Sequence, residues 1–288
     1  MAVRTAIIPV AGLGTRFLPI TKAVPKEMLP LVDRPILQYA VEEALNAGID
    51  RIILVTSRGK AMSEDYFDLT PELEHGLESK GSPRLEELRH ISRMADIIAV
   101  RQREPLGLGH AVLTARRAVG NEPFVVMLAD DVIHGSPSAT QQLLEVFVRD
   151  GSVVAVEEVP IDRISAYGVI GGEALTSGLW RVNQIIEKPP ADQAPSNLGV
   201  VGRYVFMPAI FDCLDRITTG AIGELQLTDA IALLCKQEPV HAYQFEGIRY
   251  DCGTPLGLMK ASVELALGRS EFTVELQVWL KELAARLG

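Results

Sequence analysis

Three cysteines in 288 residues, Cys213, Cys235 and Cys252, are odd in number and too far apart for a disulfide framework or a C-x-x-C metal site. A reducing cytoplasm is the expected compartment. No apolar stretch approaches the roughly 18 to 20 residues needed to cross a bilayer, and the N-terminal MAVRTAIIPV is too short an apolar run for export, so no membrane contact is expected. Cations are in deficit: 28 Lys and Arg against 37 Asp and Glu leave a formal charge of −9, which disfavours nucleic acid as a partner. The five histidines, His75, His90, His110, His134 and His241, form no close ligand pair, and no Ser-His-Asp order points to covalent catalysis. Repeats, low-complexity tracts and flexible linkers are absent too. With 48% hydrophobic and 23% charged residues, the chain has the balance of a globular protein large enough for one α/β domain or two modest ones.

Against these absences one stretch stands out. Pro9 to Pro30, PVAGLGTRFLPITKAVPKEMLP, follows an apolar run from Val3 to Val10 that reads as a first buried strand. Gly12 and Gly14 carry no Cβ, so the backbone turns tightly and brings its N–H groups against an anion at little steric cost. Arg16, Lys22 and Lys26 follow closely. A dinucleotide fingerprint needs a third glycine where Phe17 stands and a helix that begins at once, which Pro19, Pro25 and Pro30 forbid. The P-loop string G-x-x-x-x-G-K-[ST] does not occur. What is left is a long, proline-stiffened loop carrying three cations past a glycine turn. On its two glycines alone it would read equally well as a surface loop.

Beyond Pro30, the 36–46 segment has helical spacing, with Pro35 at its start and Gly48 at its stop, and 51–56 reads as a strand, giving a βαβ unit. Residues 58–95 are charged and broken by Gly and Pro, and predict two or three exposed helices packed on one sheet face. The 96–100 run is a further strand, leading through a polar 102–109 loop into a helix from about His110 to Val119. In open α/β sheets ligands sit beyond the carboxyl ends of strands, so the loops after Val10, Val100 and Leu128 are expected to converge.

The apolar strand 123–128 ends in Asp130 and Asp131. Burying an unpaired carboxylate costs more than the ~2–7 kcal/mol of a neutral polar group. A hard cation offsets that cost, since Mg²⁺ takes one or two carboxylates together with waters and substrate phosphates. A cap for the helix starting near Ser136 and Pro137 accounts for the pair equally well. Asp251, at another strand exit, poses the same question. Further strands are expected at 152–159, 199–207 and 240–245, and Tyr167 to Ile186 has the glycine-broken pattern of β-hairpins. This second half is expected to be antiparallel-rich and continuous with the first sheet. Glu187-Lys188-Pro189 alone is a solvated turn; Glu224 to Asp229 opens a helix to about Cys235, with Glu224 structural. At the C-terminus Leu276, Leu280, Leu283 and Leu287 define an amphipathic helix that packs on the chain's own core, with a subunit contact as the alternative.

The string AGLGTRFLPITKAVPKEMLP resembles the signature of the sugar-nucleotide pyrophosphorylases, and most of all the bacterial UTP–glucose-1-phosphate uridylyltransferases. The likeness extends from Ala6 to about Gly268 and implies a Rossmann-like three-layer α/β/α fold with a central mixed, mostly parallel sheet. It implies one domain over 1–288, with a nucleotide half (1–135), a sugar-phosphate half (136–268) and a C-terminal helix (269–288). Ala11, Gly12, Gly14 and Thr15 would wrap the triphosphate, Arg16 and Lys26 would act on phosphate oxygens, and Gln102 and Gly107 would meet the base. Tyr167, Gly168, Glu187, Lys188 and Gly199 would form the sugar-phosphate site, and Asp130 and Asp251 would hold Mg²⁺, with Asp131 the weaker candidate. The implied reaction joins UTP and glucose 1-phosphate in a homo-oligomer, dimer or tetramer. The same chemistry on dTTP or ATP, a glycosyltransferase using Asp130 and Asp131, and a non-catalytic binding subunit remain open at this level.

Overall fold

A computed structural model describes residues 2–219 and 223–287, without the side chains of 148–150. The strands are β1 (Thr5–Pro9), β2 (Pro30–Leu31), β3 (Arg34–Pro35), β4 (Arg51–Thr56), β5 (Asp96–Arg101), β6 (Phe124–Met127), β7 (Asp131–His134), β8 (Val153–Glu158), β9 (Gly168–Thr176), β10 (Leu179–Glu187), β11 (Leu198–Phe206), β12 (His241–Gln244) and β13 (Ile248–Asp251). The helices are α1 (Ile36–Asn46), α2 (Ala61–Asp65), α3 (Pro71–Glu78), α4 (Arg84–Ile91), α5 (Gly107–Thr114), α6 (Arg116–Val119), α7 (Ala139–Asp150), α8 (Ala209–Arg216), α9 (Leu227–Leu234), α10 (Pro255–Leu267) and α11 (Ser270–Leu287).

Nine strands form one sheet in the order β5-β4-β1-β6-β11-β8-β12-β10-β9. β1 is parallel to β4 on one side and to β6 on the other, and β4 is parallel to β5. Crossover helices cover both faces of such strands, which is why they read as unbroken apolar runs. Within β1, Ile7 enters a core closed by α5, α8 and α9, while Ala6 and Ile8 enter one closed by α1 and α7. These are the three layers that the family resemblance implies. β11 then runs antiparallel to both β6 and β8, and the β9–β10 hairpin adds further antiparallel pairs, so both halves of the chain share one mixed sheet.

The proline-rich loop does what its prolines permit. Between them it forms only single 3-10 turns, at Thr15–Phe17, Ile20–Lys22 and Lys26–Met28. Region 58–95 contains α2, α3 and α4. The helix expected from about His110 begins earlier, at Gly107, and the one expected from Glu224 begins later, at Leu227. Both shifts have one cause: residues 224–226 lie along the 106–109 segment, with Leu225 N–H donating to Leu106 O (2.7 Å) and Gly109 N–H to Leu225 O (2.9 Å).

The C-terminal helix corrects the expectation of core packing. No residue of α11 is buried, and Val274 and Leu287 are 74% and 80% exposed. Leu276, Leu280 and Leu283 are only half-buried. A helical period guarantees an apolar face but not its depth, and this face leans on α10, which itself buries only Ala261. Among the described residues, no helix is long and apolar enough to cross a membrane.

Candidate active site

Two hollows open beyond the carboxyl ends of β1 and β6, where strand order reverses around β1. Their walls share Leu108, Leu128 and Asp130. The first lobe, of about 450 Å³, is lined by Ala11, Gly12, Gly14, Thr15, Lys26, Gln102, Gly107 and Glu224. Gly14 has φ of 66°, and a Cβ there would lie 3.0 Å from Lys26 Cβ and 3.1 Å from Thr21 Cγ2. The missing side chain lets the stem of Lys26 lie along the turn and carry Nζ to 2.6 Å from Asp130 Oδ2. Burial presses the Asp130 carboxyl upward, but the charge and hydrogen bond of Lys26 outweigh it and hold the group below the ordinary carboxylate range. Lys26 is itself anchored through its neighbour: the Glu27 carboxylate, buried, accepts from Lys60 Nζ (3.0 Å) and Ser63 Oγ (2.9 Å). The charged 58–95 region thus reaches the loop through an ion pair that the sequence reading did not find.

Gln102 is buried at the end of β5, and its Nε2 donates to Gly107 O (3.1 Å) and contacts His110 Nδ1 (2.9 Å). Gly107 has φ of 92°, and a Cβ there would meet Glu224 Cβ at 2.8 Å. The segment containing Glu224 therefore serves both lobes: Glu224 walls the first, and Gln226, Leu227 and Thr228 wall the second.

The second lobe, of about 290 Å³, gathers Arg16, Asp130, Tyr167, Gly168, Glu187, Lys188 and Asp251. β9 starts at Gly168 and β10 ends at Glu187, and the two residues are paired across the hairpin. Gly168 admits the side chains behind it, since a Cβ there would lie 2.7 Å from Thr228 Cγ2 and 3.2 Å from Glu187 Oε2. Thr228 Oγ1 donates to Glu187 Oε2 (3.0 Å) and so orients that carboxylate. Lys188 adopts φ of 46°, a left-handed conformation that costs a non-glycine residue on the order of 1 kcal/mol. Its N–H donates to Tyr167 O (2.9 Å), and its Nζ, on a half-exposed side chain, lies 3.1 Å from Glu187 Oε1.

Not every expected residue is in these walls. Gly199 lies behind them, where a Cβ would meet Val159 Cγ2 at 2.7 Å and the Tyr167 ring at 3.1 Å; its role here is to let the ring pack close. Lys22 is exposed and lines neither lobe. Arg16, on the glycine loop, faces the second lobe rather than the first.

Asp130 and Asp251 meet where the lobes join. β7 and β13, an antiparallel ribbon not anticipated from the sequence, set Asp131 opposite Asp251. Gly253 sits between the two acids: a Cβ there would lie 2.9 Å from Asp130 Oδ2, 3.0 Å from Asp251 Oδ1 and 3.5 Å from Arg16 Nη1. This small cradle, open only because the residue is glycine, has the donor set of a hard cation held by two carboxylates and completed by phosphates and water. Among the described residues no group of three or more His, Cys, Asp or Glu side chains is placed to hold a metal ion, so this cradle offers two carboxylates alone. Asp131 is occupied otherwise, its Oδ1 accepting from Arg249 Nε (2.7 Å) and its Oδ2 from Gly202 N–H (2.9 Å). Neither acid caps α7, because Ser138 and Gln141 form the capping box there. Cys252, beside Asp251, is buried, and burial pushes its thiol up to about 12, so it packs and does not attack.

Residues 5–267 match the family model described as nucleotidyl transferase. A UTP–glucose-1-phosphate uridylyltransferase of Staphylococcus epidermidis is 48% identical over 283 residues, covering 98% of each chain. Among solved structures, a UDP-glucose pyrophosphorylase complexed with UDP-glucose superposes with a TM-score of 0.84 at 44% identity, covering 93% of this chain and 100% of the other. A UTP-bound UGPase from Acinetobacter baumannii gives 0.89 at 40% identity, covering 98% and 100%. With likeness of this extent in both sequence and structure, the chain belongs to the nucleotidyl transferase family, among the UTP–glucose-1-phosphate uridylyltransferases.

Proposed function

We propose that this enzyme transfers the uridylyl group of UTP to α-D-glucose 1-phosphate, giving UDP-glucose and pyrophosphate. The observation that carries the reading is the meeting of two lobes at Asp130, one cradled by the glycine turn and Lys26, the other by Glu187 and Lys188. In this reading 1–135 supplies most of the nucleotide side and 136–268 most of the sugar-phosphate side, with Glu224 and Arg16 each crossing to the other lobe. Relatives solved with UTP and with UDP-glucose support substrate and product. Gln102 supports the base. Its amide hydrogens go to Gly107 O and His110 Nδ1, which leaves Oε1 as an acceptor suited to the N3–H of uracil or thymine and unsuited to cytosine, whose N3 is itself an acceptor. Three free thiols support a reducing cytoplasm.

An oxygen of the sugar phosphate attacks the α-phosphorus, the bond to the bridging oxygen opposite breaks, and pyrophosphate departs with that oxygen. The attacking group is already anionic, so no strong base is required; the barrier lies in aligning two polyanions. Lys26 and Lys188 hold phosphates on either side of the reaction line, and Arg16, whose Nη1 lies 3.5 Å from where a Cβ on Gly253 would sit, adds positive charge beside the reacting phosphates where the lobes join. Asp130 and Asp251 would hold Mg²⁺, which when bound would supply positive charge to offset that of the reacting phosphates. Glu187, aimed by Thr228, accepts from sugar hydroxyls.

The deciding experiment gives the enzyme glucose 1-phosphate and Mg²⁺ with UTP, dTTP, ATP, CTP and GTP in turn, and follows pyrophosphate release with sugar-nucleotide formation. Formation of UDP-glucose well above every other product is expected; dominance of another nucleotide refutes the assignment of the base. Lys188→Ala is expected to raise KM for glucose 1-phosphate roughly tenfold, the worth of one charge-assisted hydrogen bond, with a smaller rise for UTP. The reverse ranking would move Lys188 to the nucleotide side.

A further inference from the structure

Arg249 was not marked by any sequence motif, yet it stands at the wall of the second lobe with a side chain only 11% exposed. Its guanidinium reaches β7, β8 and the turn before β9 at once. Nε donates to Asp131 Oδ1 (2.7 Å), next to Asp130 in the chain. Nη1 donates to Glu157 Oε1 (2.6 Å) on β8 and to the Tyr167 hydroxyl (3.2 Å), and the guanidinium carbon lies 5.5 Å from the centroid of that ring. Arg249 is also two residues before Asp251 on β13. Both carboxylates that pair with it, Asp131 and Glu157, are side chains of the protein itself. It is therefore spent inside the protein, unlike Lys188, whose side chain is 55% exposed.

We infer that Arg249 is a positioning residue for the acceptor: it ties the turn bearing Asp130 to the Tyr167 wall, so that the sugar-phosphate site and the two-carboxylate cradle keep one geometry. This rests on the function proposed above. The fork spreads these bonds over two nitrogens, Nε for Asp131 and Nη1 for Glu157 and Tyr167, where a lysine would offer a single point charge. Asp131, gripped by Arg249 on one oxygen and by Gly202 N–H on the other, transmits the hold to its neighbour Asp130. Tyr167, packed between Arg249 and Gly199, is fixed from both sides.

The test is steady-state kinetics on the whole enzyme with each substrate varied at saturating partner, for wild type, Arg249→Lys, Tyr167→Phe and the double variant. Arg249→Lys keeps the charge and removes the fork. It is expected to raise KM for glucose 1-phosphate roughly tenfold, as loss of charge-assisted bonds does, with KM for UTP within about twofold. Tyr167→Phe removes only the accepting oxygen and is expected to raise the same KM about threefold. The double variant should be no worse than Arg249→Lys by more than about twofold, because both break one tie. Equal rises in both KM values, or a double effect equal to the product of the singles, overturns the inference. Glu157→Ala, which removes the acceptor of Nη1 from outside the lobe, is the second variant should Arg249→Lys not fold: a rise confined to KM for glucose 1-phosphate supports the tie, and an unchanged KM refutes it. Wild type that makes no UDP-glucose refutes the proposed function, an outcome distinct from normal turnover with an unsplit KM.

Discussion

Asp130→Asn is expected to lower turnover with UTP and glucose 1-phosphate by about 10³-fold, the upper end of what removing one preorganised electrostatic group costs. Asparagine has nearly the same shape, so the cradle at Gly253 and the backbone bond from Cys252 N–H to Asp130 O (2.8 Å) both remain. What disappears is the negative charge that offers a cation one of its two carboxylates. Lys26 loses its partner at the same time, but with a side chain 28% exposed it regains water, and the stability cost is about 1 kcal/mol or less. A thermal melt within a few degrees of wild type, alongside lost pyrophosphate release at saturating substrate, is the expected pair of results. Activity within tenfold of wild type would remove Asp130 from the cation site. Asp131→Asn should show the opposite balance, losing stability first, because its oxygens are committed to Arg249 and Gly202.

That contrast between neighbours marks the limit of what the sequence reveals. The glycine turn and the acids at strand exits stand out because each breaks an otherwise apolar pattern, whereas the Glu187–Lys188 pair, a solvated turn by itself, is singled out only by the family resemblance. Asp130 and Asp131 are separated only by the family resemblance and not by the motif itself, because their difference is made by Arg249, which is far away in the chain and arrives on a four-residue strand, β13, whose pairing with β7 carries no strong period. Thr228 was hidden inside an apolar helix start, and Glu224 to Gln226 read as helix because nothing local shows the 106–109 segment lying alongside. Glu27 and Lys60 look like surface charges until the fold pairs them. The α11 stripe shows the opposite gap, since its period reveals an apolar face while no residue of the helix is buried.

Arg203 offers the sharpest stability test of this hidden polar interior. It is 1% exposed, midway along β11, and no pattern announces it. Its Nη2 donates to Glu43 Oε2 (2.6 Å) and to Asp131 O (2.8 Å), and its Nη1 to Leu128 O (2.9 Å), so it clasps both ends of the turn that presents Asp130. Glu43, on α1, also accepts from Thr140 Oγ1 (2.6 Å) in the first turn of α7. Arg203→Met fills similar space but leaves the buried Glu43 carboxylate without its cation and strips a donor from three carbonyls, those of Leu128, Asp131 and Gly202. The expected loss is ~3–5 kcal/mol, the range for breaking one side of a buried ion pair, read as a lower urea midpoint at unchanged slope. Replacing both partners, as in Glu43→Met with Arg203→Met, should cost less than Arg203→Met alone, because no uncompensated charge is left behind. A single-variant loss under about 1 kcal/mol would mean that water reaches Glu43 once the arginine is gone. The double variant also separates stability from geometry: if it regains stability but turns over slowly, the clasp on residues 128 and 131 is what keeps Asp130 aimed at the junction of the two lobes.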